Sequence, residues 1–180
     1  MKFISNKFNG LILISHEVIS DNRGYFKESF RKNNLEKFLD YELKFCQKNV
    51  VSSRLNVLRG LHFQKQPFAQ SKLVSVTEGK ILDIVVDIRP KSTTYGQYCK
   101  FILSSKNHES LFIPKGFAHG YLTLSKKAVV NYLVDNYYNS EMEEGISFKD
   151  SFLKIDWGID QKDLIISEKD SNLKDYKWQL

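Results

Sequence analysis

The run from Lys80 to Ile88, KILDIVVDI, constrains the fold more than any other stretch of the chain. Its alternation puts Leu82, Ile84, Val86 and Ile88 on one wholly apolar face and Asp83 and Asp87 on the other, a period of two that suits a β-strand. Gly79 precedes it as a turn residue. The two aspartates can be a carboxylate pair for acid–base work, but the polar side of a half-buried strand is the plainer reading and is preferred. Further strand-like segments fall at 11–19, 25–30, 97–103, 109–113, 120–124 and 128–135, and another begins at Leu43. Short strands with turns every ~8–12 residues and almost no helix predict an all-β sandwich or barrel.

One helix is expected near the N-terminus, where Asn33 followed by Glu36 resembles a capping box and Leu35, Phe38 and Leu39 supply one apolar side. The chain has 180 residues, 42% of them hydrophobic, enough to enclose one core. No repeat, linker or low-complexity tract divides it, so residues 1–180 are expected to form a single domain.

Charge and cysteine content narrow the function classes. The net charge of +6 comes from scattered lysines without a basic stripe, so nucleic acid is not an expected partner; a modest positive field suits a small dianion such as a nucleotide diphosphate. Cys46 and Cys99 form no Cys-x-x-Cys pair, and the first ten residues lack the features of a signal peptide, which predicts a reduced, cytoplasmic protein. No apolar run approaches the roughly 20 residues needed to span a bilayer, so no membrane partner is expected.

The chemistry-bearing stretch is Leu58 to Gln64 followed by Lys72 to Val74. It sets His62 and Lys72 on two short strands joined by a polar turn, where adjacent strands could aim a base and a cation into one cavity. Apolar flanks favour partial burial, which brings such groups toward the pKa range useful for proton transfer. Spacing alone fits a surface pair equally well. Strict alternation would put Arg59 and His62 on opposite faces, so if both serve one pocket Gly60 must mark a bulge or an end of regular pairing. Upstream, Gln47, Asn49 and Val51 share one face of their strand.

Several motifs fall in collinear order: RGLHFQ at 59–64, P-x-x-Q-x-KLV at 67–74, VDIR at 86–89, IPKGFAHGY at 113–121 and SEKD at 167–170. Through them the chain resembles the dTDP-4-dehydrorhamnose 3,5-epimerase family of nucleotide-sugar enzymes, from about Asp21 to Asp170. The resemblance implies a cupin-type jelly-roll barrel with a few short peripheral helices, wrapped by a C-terminal tail from about residue 141. It also implies a homodimer, no cofactor, and a role in making sugars for cell-surface polysaccharides.

By the same resemblance His62 is the base, Asp170 its partner, Lys72 the donor beside the keto oxygen and Tyr132 the acid on the opposite face. Arg23 and Glu28, in a D-x-R-G-x-F-x-E pattern, are implied substrate contacts together with Gln47, Asn49, Arg59, His119 and Tyr138. Arg23, Gln47 and Arg59 would hold the diphosphate, and Tyr138 could stack on a base or sugar. His119 lies in a Pro114-x-Gly116-x-x-His119 pattern shared with metal-binding cupins. A His-x-His pair is missing, since Phe63 and Gln64 follow His62, and His16 and His108 are unclustered; no metal is expected.

The implied substrate is a nucleotide-linked 4-keto sugar, inverted at C3 and C5. Val51 stands where the family commonly has serine, Asn56 where it has glycine, the segment from Phe148 to Ser151 where it has W-D-D-P, and Gly158 where it often has proline. These departures keep a GDP-linked or other 4-keto sugar, including a heptose, open beside the dTDP-linked one. A C3-only epimerase or a 3,4-ketoisomerase would use the same scaffold, although retention of Tyr132 favours epimerisation. A sugar-binding jelly roll without catalysis fits least, because His62, Lys72, Tyr132 and Asp170 occur together.

Overall fold

A computed structural model describes residues 1–179 of the chain. The N-terminal part contributes β1 (Lys2–Ser5), β2 (Ile12–Ser15), a hairpin of β3 (Ile19–Asp21) and β4 (Gly24–Phe26), and the helix α1 (Lys32–Leu39). Eight longer strands follow: β5 (Gln47–Arg54), β6 (Leu58–Gln64), β7 (Lys72–Glu78), β8 (Lys80–Asp87), β9 (Tyr98–Ser104), β10 (Glu109–Ile113), β11 (Phe117–Thr123) and β12 (Lys127–Val134). The short β13 (Glu143–Gly145) and the helix α2 (Glu168–Ser171) belong to the C-terminal part.

The strands form two facing antiparallel sheets, β1-β2-β10-β7-β12-β5 and β13-β6-β11-β8-β9, while β3 and β4 pair only with each other. Neighbours in space are distant in sequence: β2 lies beside β10, and β5 runs antiparallel to β12 from Gln47↔Val134 to Arg54↔Lys127. The all-β jelly roll expected from the sequence is therefore the fold, with short helices at its periphery. Among the described residues, no helix is long and apolar enough to cross a membrane.

Three apolar layers hold it. Val74, Val76, Ile81, Val85, Leu111 and Val130 fill the space between the sheets. On the outer face of the five-stranded sheet, Leu58, Ile84, Val86 and Leu122 meet Ile146, Phe148 and Trp157 of the tail. On the outer face of the six-stranded sheet, Ile12, Ile14, Leu73 and Phe112 meet Leu35 of α1 and Leu43.

The interior position of β8, between β11 and β9, corrects one expectation. Covered on both faces, it reads as a nearly continuous apolar run, as strands buried on two sides do. Asp83 and Asp87 are therefore not the solvated side of a half-buried strand; both are 0% exposed. A buried carboxylate persists only with donors around it. Asp87 accepts from Arg89 Nε, Ser92 Oγ and Thr94 Oγ1 at 2.6–2.8 Å, and Asp83 Oδ2 accepts from His119 Nε2 at 2.8 Å.

Local expectations near the N-terminus also change. The strand expected over 11–19 ends at Ser15; the His16 ring beyond it is buried, with Nδ1 at Glu28 O and Nε2 at Ser110 Oγ. The run expected over 25–30 is strand only to Phe26. Asn33 does not open a capping box: α1 starts at Lys32 behind Arg31, which makes no side-chain cap, and Glu36 Oε1 accepts instead from the amide of Leu43.

The tail packs on the outer face of the five-stranded sheet. Asp150, 1% exposed, accepts from the amides of Phe152, Leu153 and Tyr176 and, at 3.3 Å, from Trp178 Nε1, so one carboxylate clamps two separated parts of the tail.

Candidate active site

The site begins with a register shift. On β11, His119 and Tyr121 are two positions apart; their partners on β6, His62 and Arg59, are three apart. The extra residue is a bulge, and it turns Arg59 and His62 to the same side, as the sequence requires of Gly60 if both serve one pocket. Gly60 has φ +112°, and a Cβ there would lie 2.5 Å from Gly120 Cα and 2.7 Å from His119 O. Only glycine fits.

A bulge leaves backbone groups without ladder partners, and here the Gly60 amide donates to Asp170 Oδ2 at 3.1 Å. Asp170 is presented by α2, whose N-terminus is capped by Ser167 Oγ accepting from the Asp170 amide. Its other oxygen, Oδ1, accepts from His62 Nε2 at 2.7 Å. Burial alone would raise the Asp170 pKa, but the hydrogen bond and charge of His62, aided by the Gly60 amide, hold it below the usual carboxylate range. With Nε2–H fixed on Asp170, the lone pair of His62 lies on Nδ1, the nitrogen turned toward Glu143 Oε1 at 4.0 Å.

The facing sheet supplies the complementary groups. Lys72 opens β7 and Tyr132 lies on the neighbouring β12, in the register Lys72↔Val134 and Val74↔Tyr132. Burial lowers the Lys72 pKa to about 8, with Glu143 and Asp83 acting in the opposite sense. Burial raises that of Tyr132, so its phenol stays protonated through the neutral range. His119 is oriented by buried Asp83. Tyr121 meets Ser53 Oγ at 3.1 Å, and Arg59 Nε donates to the same hydroxyl at 3.1 Å.

These residues enclose a cavity of about 300 Å³ lined by Arg59, His62, Lys72, His119, Tyr132 and Asp170, with Val51, Tyr121, Glu143 and Lys169 among the remaining walls. A second lobe of about 290 Å³ shares His62, Lys72, Tyr132 and Glu143 and adds Gln47, Asn49 and Tyr138. Nine of the eleven residues singled out from the sequence thus line one two-lobed space. Arg23 and Glu28 do not. Arg23, its side chain 84% exposed, pairs with Asp21 at 2.5 Å on the β3–β4 hairpin, and Glu28 pairs with Arg31 at 2.5 Å. Chemically, the cavity offers a base held by a carboxylate on one wall, and a cation and a weak acid on the other. Among the described residues no group of three or more His, Cys, Asp or Glu side chains is arranged to hold a metal ion.

The sequence profile of the family described as dTDP-4-dehydrorhamnose 3,5-epimerase matches residues 5–177. The dTDP-4-dehydrorhamnose 3,5-epimerase of Escherichia coli K12 is 43% identical over 173 residues, covering 96% of this chain and 93% of that protein. The chain belongs to the dTDP-4-dehydrorhamnose 3,5-epimerase family. Solved members superpose closely. The enzyme of Elizabethkingia anophelis does so with a TM-score of 0.93 at 42% identity, covering 98% of this chain and 97% of its own. That of Legionella pneumophila, in complex with dTDP-4-keto-L-rhamnose, gives 0.92 at 40% identity over 97% of this chain and 92% of its own. The protein is thus an isomerase, an epimerase of nucleotide-sugar biosynthesis on a cupin jelly roll.

Against the family's common pattern, only one of the departures touches the cavity. Val51 lines it. Asn56 occupies the β5–β6 turn at φ +64°, a left-handed position that asparagine tolerates, so its replacement of glycine is conformational. Phe148 is buried between the tail and the sheet, and its carbonyl accepts from Trp157 Nε1 at 2.9 Å; the segment that begins there packs the outer face of the sheet and does not line the ligand space. Gly158 has φ +73°, which the fixed ring of proline could not adopt.

Sequence reasoning missed Glu143 and Tyr121 and left Lys169 unassigned. Tyr121 and Lys169 lie within motifs already noticed. Glu143 stands in an acidic stretch with nothing local to distinguish it from its neighbour Glu144, and becomes notable only because β13 pairs with β6, setting Gly145 beside His62.

Proposed function

We propose that this epimerase acts on a dTDP-linked 4-keto-6-deoxy sugar and inverts it at both C3 and C5. A carbon beside a ketone is acidified by the carbonyl, so the barrier lies in removing its proton while stabilising the enolate. Nδ1 of His62 takes the proton, Asp170 holds the imidazole and favours the cation that forms, and the C–H electrons move onto the C4 oxygen. The Lys72 ammonium meets that oxygen as it becomes negative. Tyr132 returns a proton from the opposite face and so inverts the centre. The observation that carries this reading is the His62–Asp170 pair standing on one wall of a cavity whose other wall bears Lys72 and Tyr132.

The polar lobe with Gln47, Asn49 and Tyr138 suits the nucleotide, and Arg59 the diphosphate, since a guanidinium fork matches phosphate oxygens. The Legionella pneumophila relative's ligand, dTDP-4-keto-L-rhamnose, favours dTDP as the carrier. The functional unit is a homodimer. The β3–β4 hairpin exposes Ile19, Tyr25 and Phe26 by 64%, 55% and 67%, an apolar surface that a second copy would cover. In that arrangement Arg23 and Glu28 would contact a ligand held in the second copy's cavity.

Incubation with dTDP-4-keto-6-deoxy-D-glucose in D2O, followed by NMR, tests the reading. Deuterium at both C3 and C5 with inverted product is expected. Deuterium at C3 alone would make the protein a C3 epimerase, and none at either centre would remove this substrate.

A further inference from the structure

Two inversions in one cavity raise a problem of proton return. Each inversion moves a proton from carbon to His62 and another from Tyr132 to carbon, leaving a cationic imidazole and an anionic phenolate. Before a second inversion His62 must lose its proton and Tyr132 must regain one. This problem exists only if the proposed 3,5-epimerisation holds.

Asp170 is a poor exit. It is 4% exposed, and its two oxygens are occupied by His62 Nε2 and the Gly60 amide. The other ring nitrogen looks elsewhere: Nδ1 lies 4.0 Å from Glu143 Oε1, within the span of a small shift or one bridging water. Glu143 Oε2 in turn accepts from the Tyr138 hydroxyl at 2.7 Å and pairs with the Lys169 ammonium. Tyr138 is 54% exposed and the Lys169 side chain 58%, so this carboxylate bridges the half-buried base and the solvent-facing mouth.

We propose that Glu143 is the proton relay that resets His62 between the two inversions. The proton on His62 Nδ1 passes to Glu143 Oε1 and from there to water at the mouth, while a solvent proton reprotonates the Tyr132 phenolate; charge and protons balance over the cycle. Lys169 and Tyr138 hold the Glu143 carboxyl below its usual range although burial opposes them, so it releases what it receives. Two donors, Lys169 of α2 and the Tyr138 hydroxyl, fix the orientation of the carboxylate.

Glu143→Gln keeps the shape and one acceptor but cannot carry the proton. With the same dTDP-4-keto-6-deoxy sugar in D2O, exchange at the second centre is read relative to the first, because losing the Glu143 charge also acts on Lys72 at both centres. The second centre should lag by roughly tenfold or more, within the usual reach of a positioned proton carrier, and a singly inverted sugar should accumulate. Raising imidazole buffer at fixed pH should shorten the lag, and Glu143→Asp should restore part of it; neither a packing defect nor a lost sugar contact responds to buffer. Equal slowing of both centres, a loss confined to KM, or a wild-type ratio of exchange without buffer dependence would overturn the relay. Failure of the wild-type enzyme to exchange at two centres would instead overturn the underlying 3,5-epimerase reading.

Discussion

The amide of Gly60 and the carboxylate of Asp170 are joined at 3.1 Å across 110 residues of sequence. One glycine bulge therefore does two things: it rotates Arg59 and His62 to a common face, and it frees the backbone donor that fixes the partner of His62. Neither is available to a regular strand, where ladder bonds would occupy the amide.

Replacing that glycine should be costly to fold and activity together. In Gly60→Ala the new methyl would meet the Gly120 backbone at 2.5 Å, at a φ of +112° that L-residues rarely adopt. Urea denaturation should report a loss of at least about 2 kcal/mol. A variant as stable and active as wild type would mean that the bulge is not required.

Asp170→Asn should separate orientation from packing. Losing the carboxylate that fixes the imidazole tautomer should lower turnover on the order of 10²-fold or more while the chain still folds. The folded-state pKa of Asp170 is lowered, so its stabilising contribution is full above the unfolded value near ~3.9 and is lost as pH falls through the folded one. Acid titration of both proteins should therefore show a stability gap that is constant at neutral pH and closes only in strong acid. A gap that widened on acidification would contradict the ion-paired assignment.

Lys72 sets the alkaline limit. Its ammonium, depressed to about 8 by burial, is the charged donor below that pH and neutral above it, so kcat/KM should decline as pH rises through about 8. Tyr132, raised by burial, remains protonated there and contributes no limb in this range. In Lys72→Arg the limb should vanish, whatever the residual rate, because guanidinium does not titrate below ~12. An unchanged limb in that variant would assign it to another group.

Tyr132→Phe should uncouple exchange from inversion. His62 can still remove the proton and return a deuteron to the same face, whereas delivery from the other wall is lost. NMR in D2O should show a ratio of isotope exchange to inverted product that rises roughly a hundredfold, the usual weight of a general acid. A ratio equal to wild type would remove Tyr132 from the reaction.

Much of this was legible in the sequence where local pattern and long-range structure agree. The strand expected at 109–113 is β10, and once Arg59 and His62 share a pocket the side-chain period requires a bulge or an end of regular pairing at Gly60; the bulge is what forms. Gln47 and Asn49 share an inward face because alternation in an edge strand with one covered side is simple to read. The failures arise where a distant partner decides. Asp83 looked like a surface residue because the histidine that satisfies it lies 36 positions later. Asn33 and Glu36 fit a capping spacing, but the side chain of Glu36 is claimed by the amide of Leu43. Glu143 gains its place only through the pairing of β13 with β6, and Arg23 on the β3–β4 hairpin and Glu28 just after it lie outside this chain's own cavity.

The most direct measurement is solvent deuterium exchange at C3 of a dTDP-linked 4-keto-6-deoxy sugar by His62→Asn, run beside wild type with thermal unfolding and nucleotide binding recorded on the same samples. The variant should fold and bind dTDP as wild type does and incorporate no deuterium above the uncatalysed background. Exchange at the wild-type rate would show that another group removes the proton, and the arrangement of Asp170, Lys72 and Tyr132 around this imidazole would need a different explanation.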